Sequence, residues 1–288
     1  MLFGAIEAGG TKFVCGIGDE TGTIIERVQF ETKSPDETMP KVIDFFKDKN
    51  IAAIGLGCFG PIDVNKESET YGSITSTPKL KWQNYPILDE LRKHFNIPMG
   101  FDTDVNGAAL GESMYGAAAG LDNVLYITIG TGIGAGALVE GKLVHGMLHP
   151  EMGHINVRRH PEDSFKGTCP FHNDCLEGLA AGPAIEQRYN KKGQELTDSK
   201  EVWDLEAYYI AQALVNYILI LSPQKIIIGG GVSKQAYMME QVRKNVTEML
   251  NGYIKTTELK TINEYIINPG LKDDAGLCGA IALAVKAL

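Results

Sequence analysis

Short apolar blocks fill the first 60 positions of the chain. Residues 1–8, 12–18 and 23–31 each carry one and are joined by Gly-rich turns, which predicts three strands. The period changes at residues 36–49. There Val42, Phe45 and Phe46 share one face against Asp44, Lys47 and Asp48, which predicts an amphipathic helix. An apolar strand at 52–59 runs into Gly60-Pro61. Residues 60–85 read as loop, with Pro61, Pro78 and Pro86 as punctuation. A short helix at 87–95, a strand at 97–101 and an alanine-rich helix at 105–118 follow.

Strands resume at Asn123. The blocks at 134–139 and 142–144 flank Glu140-Gly141 and predict a hairpin. Residues 147–180 show no regular element, yet hold most of the His and Cys. A long helix at 201–221 stops before Pro223. A strand at 225–229, a helix at 234–250, a strand at 265–267 and a helix near 274–286 complete the pattern. Each half opens on strands and continues into alternating β and α. That is α/β architecture with a weak internal repeat and a boundary near 116–120.

The composition fits this picture. A chain of 288 residues suits two domains, and 44% hydrophobic with 22% charged residues is ordinary for a globular protein. A net charge of −9 with no basic patch argues against a nucleic-acid partner. No apolar run is long enough for a membrane span, and no signal peptide is evident, so a cytoplasmic protein is expected. Cys15, Cys58 and Cys278 stand alone in apolar surroundings and read as reduced, buried thiols.

Two turns carry the first chemistry. Gly4-Ala5-Ile6-Glu7-Ala8-Gly9-Gly10-Thr11-Lys12 and Tyr126-Ile127-Thr128-Ile129-Gly130-Thr131-Gly132 each follow an apolar strand and lead into another. Glycine lets backbone N–H groups approach an anion, and threonine adds a hydroxyl donor. A pair of such turns predicts a clamp on nucleotide phosphates. Gly229-Gly230-Gly231-Val232, after the strand at 225–229, adds a third ligand-facing turn. Two motif matches fail on context. The Gly130–Ala135 stretch fits a loose dinucleotide fingerprint but leads into a hairpin, not a helix. Gly136–Lys142 fits a P-loop until Leu143 replaces the required hydroxyl residue.

Phe101-Asp102-Thr103-Asp104-Val105-Asn106-Gly107 lies between a strand and a helix. One aspartate, Asp102 or Asp104, can cap the helix. Asp104, at the helix mouth, is the candidate general base for a substrate hydroxyl. Further on, His154 and then Cys169-Pro170-Phe171-His172-Asn173-Asp174-Cys175 supply two S and two N ligands, a full tetrahedral zinc set of structural type. Glu151 and Glu177 flank it and suit a hydroxyl-rich ligand. His145, His149 and His160 have no matching spacing and read as solvent-facing or supporting histidines.

Taken in order, Glu-Ala-Gly-Gly-Thr-Lys at 7–12, Asp-Val-Asn-Gly-Ala-Ala-Leu-Gly-Glu at 104–112, the second Gly-Thr-Gly turn, Glu-x-Gly-His at 151–154 and Gly-Gly-Gly-Val at 229–232 resemble the ROK family of sugar kinases and repressors. Gly60-Pro61-Ile62-Asp63, Thr77-Pro78-Lys79-Leu80-Lys81-Trp82 and Cys-Pro-Phe-His-x-Asp-Cys-Leu-Glu are similar to its bacterial fructokinase branch. The resemblance implies an actin-like ATPase (ribonuclease H-like) fold, two α/β lobes with a central cleft. The lobes are expected at 1–117 and 118–271, with the helix at about 272–288 packing back on the first.

The resemblance also implies ATP with Mg²⁺, structural Zn²⁺ and a homodimer. Gly9, Gly10, Thr11 and Lys12 would face the phosphates, joined by Thr131 and Gly132 and, from the third turn, Gly230 and Gly231. Asp104 would be the base. Gly60, Pro61, Thr103, Asp104, Glu151, His154 and Glu177 would line the sugar site, and His154, Cys169, His172 and Cys175 would hold zinc. Three departures stand out: Glu7 where the family usually has Asp, Cys-x2-His-x2-Cys in place of Cys-x-Cys-Gly-x2-Gly-Cys, and Thr103 in place of an Asn that usually holds sugar hydroxyls. The expected activity is ATP-dependent phosphorylation of fructose at O6, with mannose or glucose as alternatives. A sugar-responsive repressor of the same family needs a DNA-binding segment ahead of the first turn, where only three residues precede Gly4.

Overall fold

The structure, a computed structural model, describes residues 1–288. The first half holds strands β1 (Leu2–Ala8), β2 (Lys12–Asp19), β3 (Ile24–Glu31), β4 (Ile54–Cys58) and β5 (Met99–Thr103), with helices α1 (Pro35–Phe46), α2 (Ile87–Arg92) and α3 (Asp104–Tyr115). The second holds β6 (Val124–Ile129), β7 (Ile133–Val139), β8 (Lys142–Leu143), β9 (Lys225–Gly229) and β10 (Ile266–Ile267). Its helices are α4 (Leu176–Ala180), α5 (Gly182–Tyr189), α6 (Lys200–Leu221), α7 (Ala236–Leu250), α8 (Thr257–Lys260) and α9 (Ile262–Tyr265), and α10 (Ala275–Lys286) follows.

The strand orders are β3-β2-β1-β4-β5 and β10-β9-β6-β7-β8. In both sheets the first three strands in sequence form an antiparallel meander and the last two add in parallel. The weak repeat read from the sequence is therefore a repeat of topology. The register carries it to single positions: Glu7 lies opposite Gly57, and Thr128 opposite Gly229.

Local chemistry accounts for the elements. Helix α1 opens on Pro35, whose fixed φ suits a first turn, with Asp36 and Glu37 at its positive end. It buries Met39, Val42 and Phe46 in a core with Ile6, Leu56 and Leu88. The β7–β8 turn places Glu140 at φ 53° and Gly141 at φ 71°, the left-handed pair that fits a two-residue hairpin. Trp82 stacks on Phe13 at 5.3 Å and donates its indole N–H to the Lys33 carbonyl at 2.6 Å. Truncating such a ring costs about 3–5 kcal/mol. It holds the 77–82 segment beside the first glycine turn.

Helix α10 packs on the first sheet, against β1, β4, β5 and α3. It comes so close that a Cβ at Gly55 would stand 1.8 Å from the Ala280 carbonyl oxygen. A seam of Ala108, Ala109, Leu110, Val124, Tyr126, Ile227 and Leu283 joins the halves. Buried Glu112 ties their two connections together, accepting N–H bonds from Ala117 at 2.7 Å, Gly270 at 3.1 Å and Leu271 at 2.9 Å.

Two sequence expectations change. The segment at 147–180 is not wholly irregular: it contains α4 and a 3-10 turn at Met152–His154. Helices α5, α8 and α9 were not foreseen at all. Gly182-Pro183 interrupts the apolar period there, although proline is well placed in the first turn of α5. Arg188 near the end of α5 is buried, with ion pairs to Asp163 and Glu206 at 3.2 Å each. The Tyr209 hydroxyl donates to Asp163 at 2.7 Å, and burial pushes the Glu206 carboxyl up to about 8.

Candidate active site and metal centre

The turn between β1 and β2 is closed by the Gly9 N–H donating to the Lys12 carbonyl at 3.0 Å. The Thr32 hydroxyl donates to the Gly9 carbonyl at 2.7 Å and fixes the turn to the end of β3. Thr11 and Lys12 are exposed at its tip. Lys79, which the sequence offered only as part of a motif, lies over Gly10, with its Cε 3.5 Å from where a Cβ would be.

Two carboxylates belong to this half. Burial raises the Glu7 carboxyl, with Lys12 opposing and Asp274 adding to the shift. Asp104 opens α3. Burial, then the charges of Glu7 and Glu151, push its carboxyl up to about 7, against the lowering effect of the Val105 N–H bond at 2.9 Å. A carboxyl near 7 is matched to proton transfer at neutral pH. Glu7 is a hard oxygen donor that makes no salt bridge, and it suits a hydrated Mg²⁺.

The helix cap differs from expectation. Thr103, not either aspartate, caps α3, its hydroxyl accepting the Asn106 N–H at 3.0 Å. Thr103 is buried, and its hydroxyl, while accepting this N–H, still has its own proton to donate. Asp102 turns the other way. Its Oδ1 accepts from the Thr103 N–H and the Asn106 amide, and its Oδ2 lies 2.8 Å from His145 Nε2.

The turn between β6 and β7 is built differently. Gly130 N–H donates to the Gly132 carbonyl, and Gly182 N–H donates to the Gly130 carbonyl at 2.8 Å. Glu177 Oε2 accepts the Ile133 N–H at 2.9 Å and lies 2.6 Å from where a Cβ on Gly132 would be. Gly130 and Thr131 border a cavity of about 770 Å³ with Gly182, Pro183, Gly193, Trp203, Gly231 and Lys234. Gly230 stands behind it at φ 88°, where a Cβ would strike the Ile129 carbonyl at 2.3 Å. The cavity unites Thr131 with Gly231 but is not lined by Gly9–Lys12. Its α5 and 192–194 walls were missed from sequence; Gly182-Pro183 was the available signal.

His154, Cys169, His172 and Cys175 converge, their ligand atoms all within 4.8 Å of one another. His154 Nδ1 is 3.7 Å from Cys169 Sγ and 3.5 Å from Cys175 Sγ, and His172 Nδ1 is 3.6 Å from Cys169 Sγ. Zn–S and Zn–N bonds of about 2.3 and 2.0–2.1 Å give a tetrahedral edge of about 3.6 Å. The four residues therefore fit zinc in geometry and in ligand type. His154 uses Nδ1 on this side, which leaves Nε2 facing Glu177 Oε1 at 3.9 Å.

Glu151 precedes the same His154. Its side chain is 43% exposed, yet partial desolvation by its neighbours, then the Glu177 charge, pushes its carboxyl up to about 6. His149 is nearly buried against Gly60 and Ile62, and His145 reaches Asp102, so neither is a plain solvent histidine. All five cysteines are buried and free, as read for Cys15, Cys58 and Cys278. No helix is long and apolar enough to cross a membrane.

Known proteins resemble this chain over its length. A Bacillus subtilis (strain 168) protein is 56% identical over 288 residues, covering 100% of this chain and 96% of its own. The fructokinase of Streptococcus mutans serotype c is 46% identical over 291 residues, covering 99% and 98%. The ROK hexokinase of Thermus thermophilus superposes with a TM-score of 0.81 at 25% identity, covering 99% of this chain and 98% of its own. The paired α/β halves are thus those of the actin-like ATPase fold. Matched from residue 3 to residue 287 by the family's model, the chain belongs to the ROK family.

Proposed function

We propose that this protein is an ATP-dependent fructokinase. The Asp104 carboxylate accepts the proton of the fructose 6-hydroxyl as O6 attacks the γ-phosphorus, the bond to the β–γ bridging oxygen breaks, and ADP leaves. One observation carries the reading: Asp104 opens α3 at a place where the charges of both Glu7 and Glu151 act on its carboxyl. The fructokinase name of the Streptococcus mutans relative supports fructose as the acceptor.

The roles follow from position. Thr131 and Gly231 line the nucleotide cavity on one side, with Gly132 and Gly230 next to them in the same turns. Gly9, Gly10, Thr11 and Lys12 meet the phosphates from the other. Glu151, Glu177 and His154 Nε2 receive sugar hydroxyls with Gly60 and Pro61 opposite. Glu7 would hold Mg²⁺, which when bound offsets charge on the phosphates. The His154, Cys169, His172 and Cys175 set would hold a structural zinc that fixes Glu177. A homodimer in the cytoplasm completes the reading.

An ADP-release assay with fructose, mannose and glucose, with and without a zinc chelator, tests it. Fructose should give the highest kcat/KM, and chelation should lower both Tm and activity. Highest kcat/KM with mannose or glucose would reassign the sugar. No sugar-dependent ADP release would end the kinase reading. Unchanged Tm and activity after chelation would end the zinc assignment.

A further inference from the structure

The stretch between β8 and the 3-10 turn at Met152–His154 sends a side chain across to the first half. His149 is 5% exposed. Its Nε2 accepts the Ile62 N–H at 3.0 Å, and its ring lies under Gly60, where a Cβ would be 3.2 Å from Cε1. Its other nitrogen, Nδ1, faces Glu151 Oε1 at 3.6 Å. One imidazole thus touches both walls of the acceptor pocket proposed above, its bond to Ile62 spanning 87 residues of sequence.

We propose that His149 is a positioning residue for sugar binding, coupling the Gly60–Ile62 loop to Glu151 so that the two walls of the pocket keep one spacing. The inference rests on the reading of Glu151, Gly60 and Pro61 as the acceptor site. The chemistry is specific to one form of the ring. Nε2 must be bare to accept, so the proton sits on Nδ1, on the side of Glu151. Burial lowers the affinity of the ring for a second proton and favours this neutral form. A leucine in its place fills the space but leaves the buried Ile62 N–H without an acceptor. Glutamine can present a carbonyl oxygen near the Nε2 position.

The test is a set of steady-state constants with ATP and D-fructose, together with Tm and calorimetric binding of D-fructose, for the full-length protein. His149→Leu should raise the fructose KM and Kd about tenfold, the scale of one orphaned buried donor, with the ATP KM within about twofold. His149→Gln should recover most of that loss. Gly60→Ala, which pushes a methyl toward the ring, should raise the fructose KM in the same direction by about threefold, and serves if the leucine variant does not fold. Fructose constants unchanged in folded His149→Leu, a glutamine variant as poor as leucine, or a parallel rise in the ATP KM would each overturn the proposal. Wild-type protein run alongside separates the two claims. Turnover with an indifferent His149 leaves the kinase standing, whereas wild-type protein that neither binds nor phosphorylates fructose removes both.

Discussion

The two glycine turns occupy equivalent places in two sheets of the same topology, yet their chemistry is opposite. At the register position where the first sheet has Glu7, the second has Thr128. Below the first turn, the Glu7 and Asp104 carboxyls are raised by burial, opposed at Glu7 by the charge of Lys12. Beside the second turn, the nearest carboxylate is tied down, since Glu177 accepts the Ile133 N–H and sits over Gly132. A repeated scaffold has divided its labour. On the proposed function, one copy keeps acids available for a ligand and a proton. The other uses its acid to hold the Ile133 N–H beside the turn.

Replacing the free acid strikes hardest at this contrast. Asp104→Asn should lower kcat by about 10²–10⁴ while still binding sugar, as measured by steady-state kinetics and calorimetry. Its stability should not fall. The folded pKa of Asp104 lies above its unfolded value, so ionising it opposes folding as pH rises through about 7. The Asn variant escapes that penalty, and its Tm should match or exceed wild type at alkaline pH. Near wild-type kcat would remove Asp104 as base.

The bracing acid separates two functions. Glu177→Gln keeps an oxygen for the Ile133 N–H and should raise the sugar KM about tenfold with little effect on ATP. Glu177→Ala removes the brace and should raise the ATP KM as well. If the two variants change both constants alike, Glu177 does not brace the turn.

The pH profile is the mildest probe. Wild-type kcat/KM for the sugar should rise with pH through a midpoint near 7, as the Asp104 carboxyl loses its proton and becomes a base. A profile already flat from pH 5 upward would place the base elsewhere.

Much of this was legible in the sequence because it rests on local rules. Gly-rich turns after apolar strands, the Cys-x2-His-x2-Cys spacing and the Glu140-Gly141 hairpin depend on residues close together in the chain. What escaped depends on distance. His149 meets Ile62, His145 meets Asp102, and Arg188 meets Asp163 and Glu206 only once the chain has folded. The α3 cap was misread for a subtler reason: three consecutive residues, Asp102, Thr103 and Asp104, are all good caps, and the strand register decides between them.

The packing of α10 has a consequence in time. Five strands and α3 are complete by Tyr115, but the helix that covers β1, β4 and β5 begins only at Ala275. At roughly 5–20 residues per second, the ribosome takes on the order of 10–30 s to span that gap. During that interval the half made first carries a bare apolar face, while the half made later can close on its own helices α6 and α7. The order of synthesis and the order of completion are therefore reversed, and the first half stays open on that face until the last helix emerges.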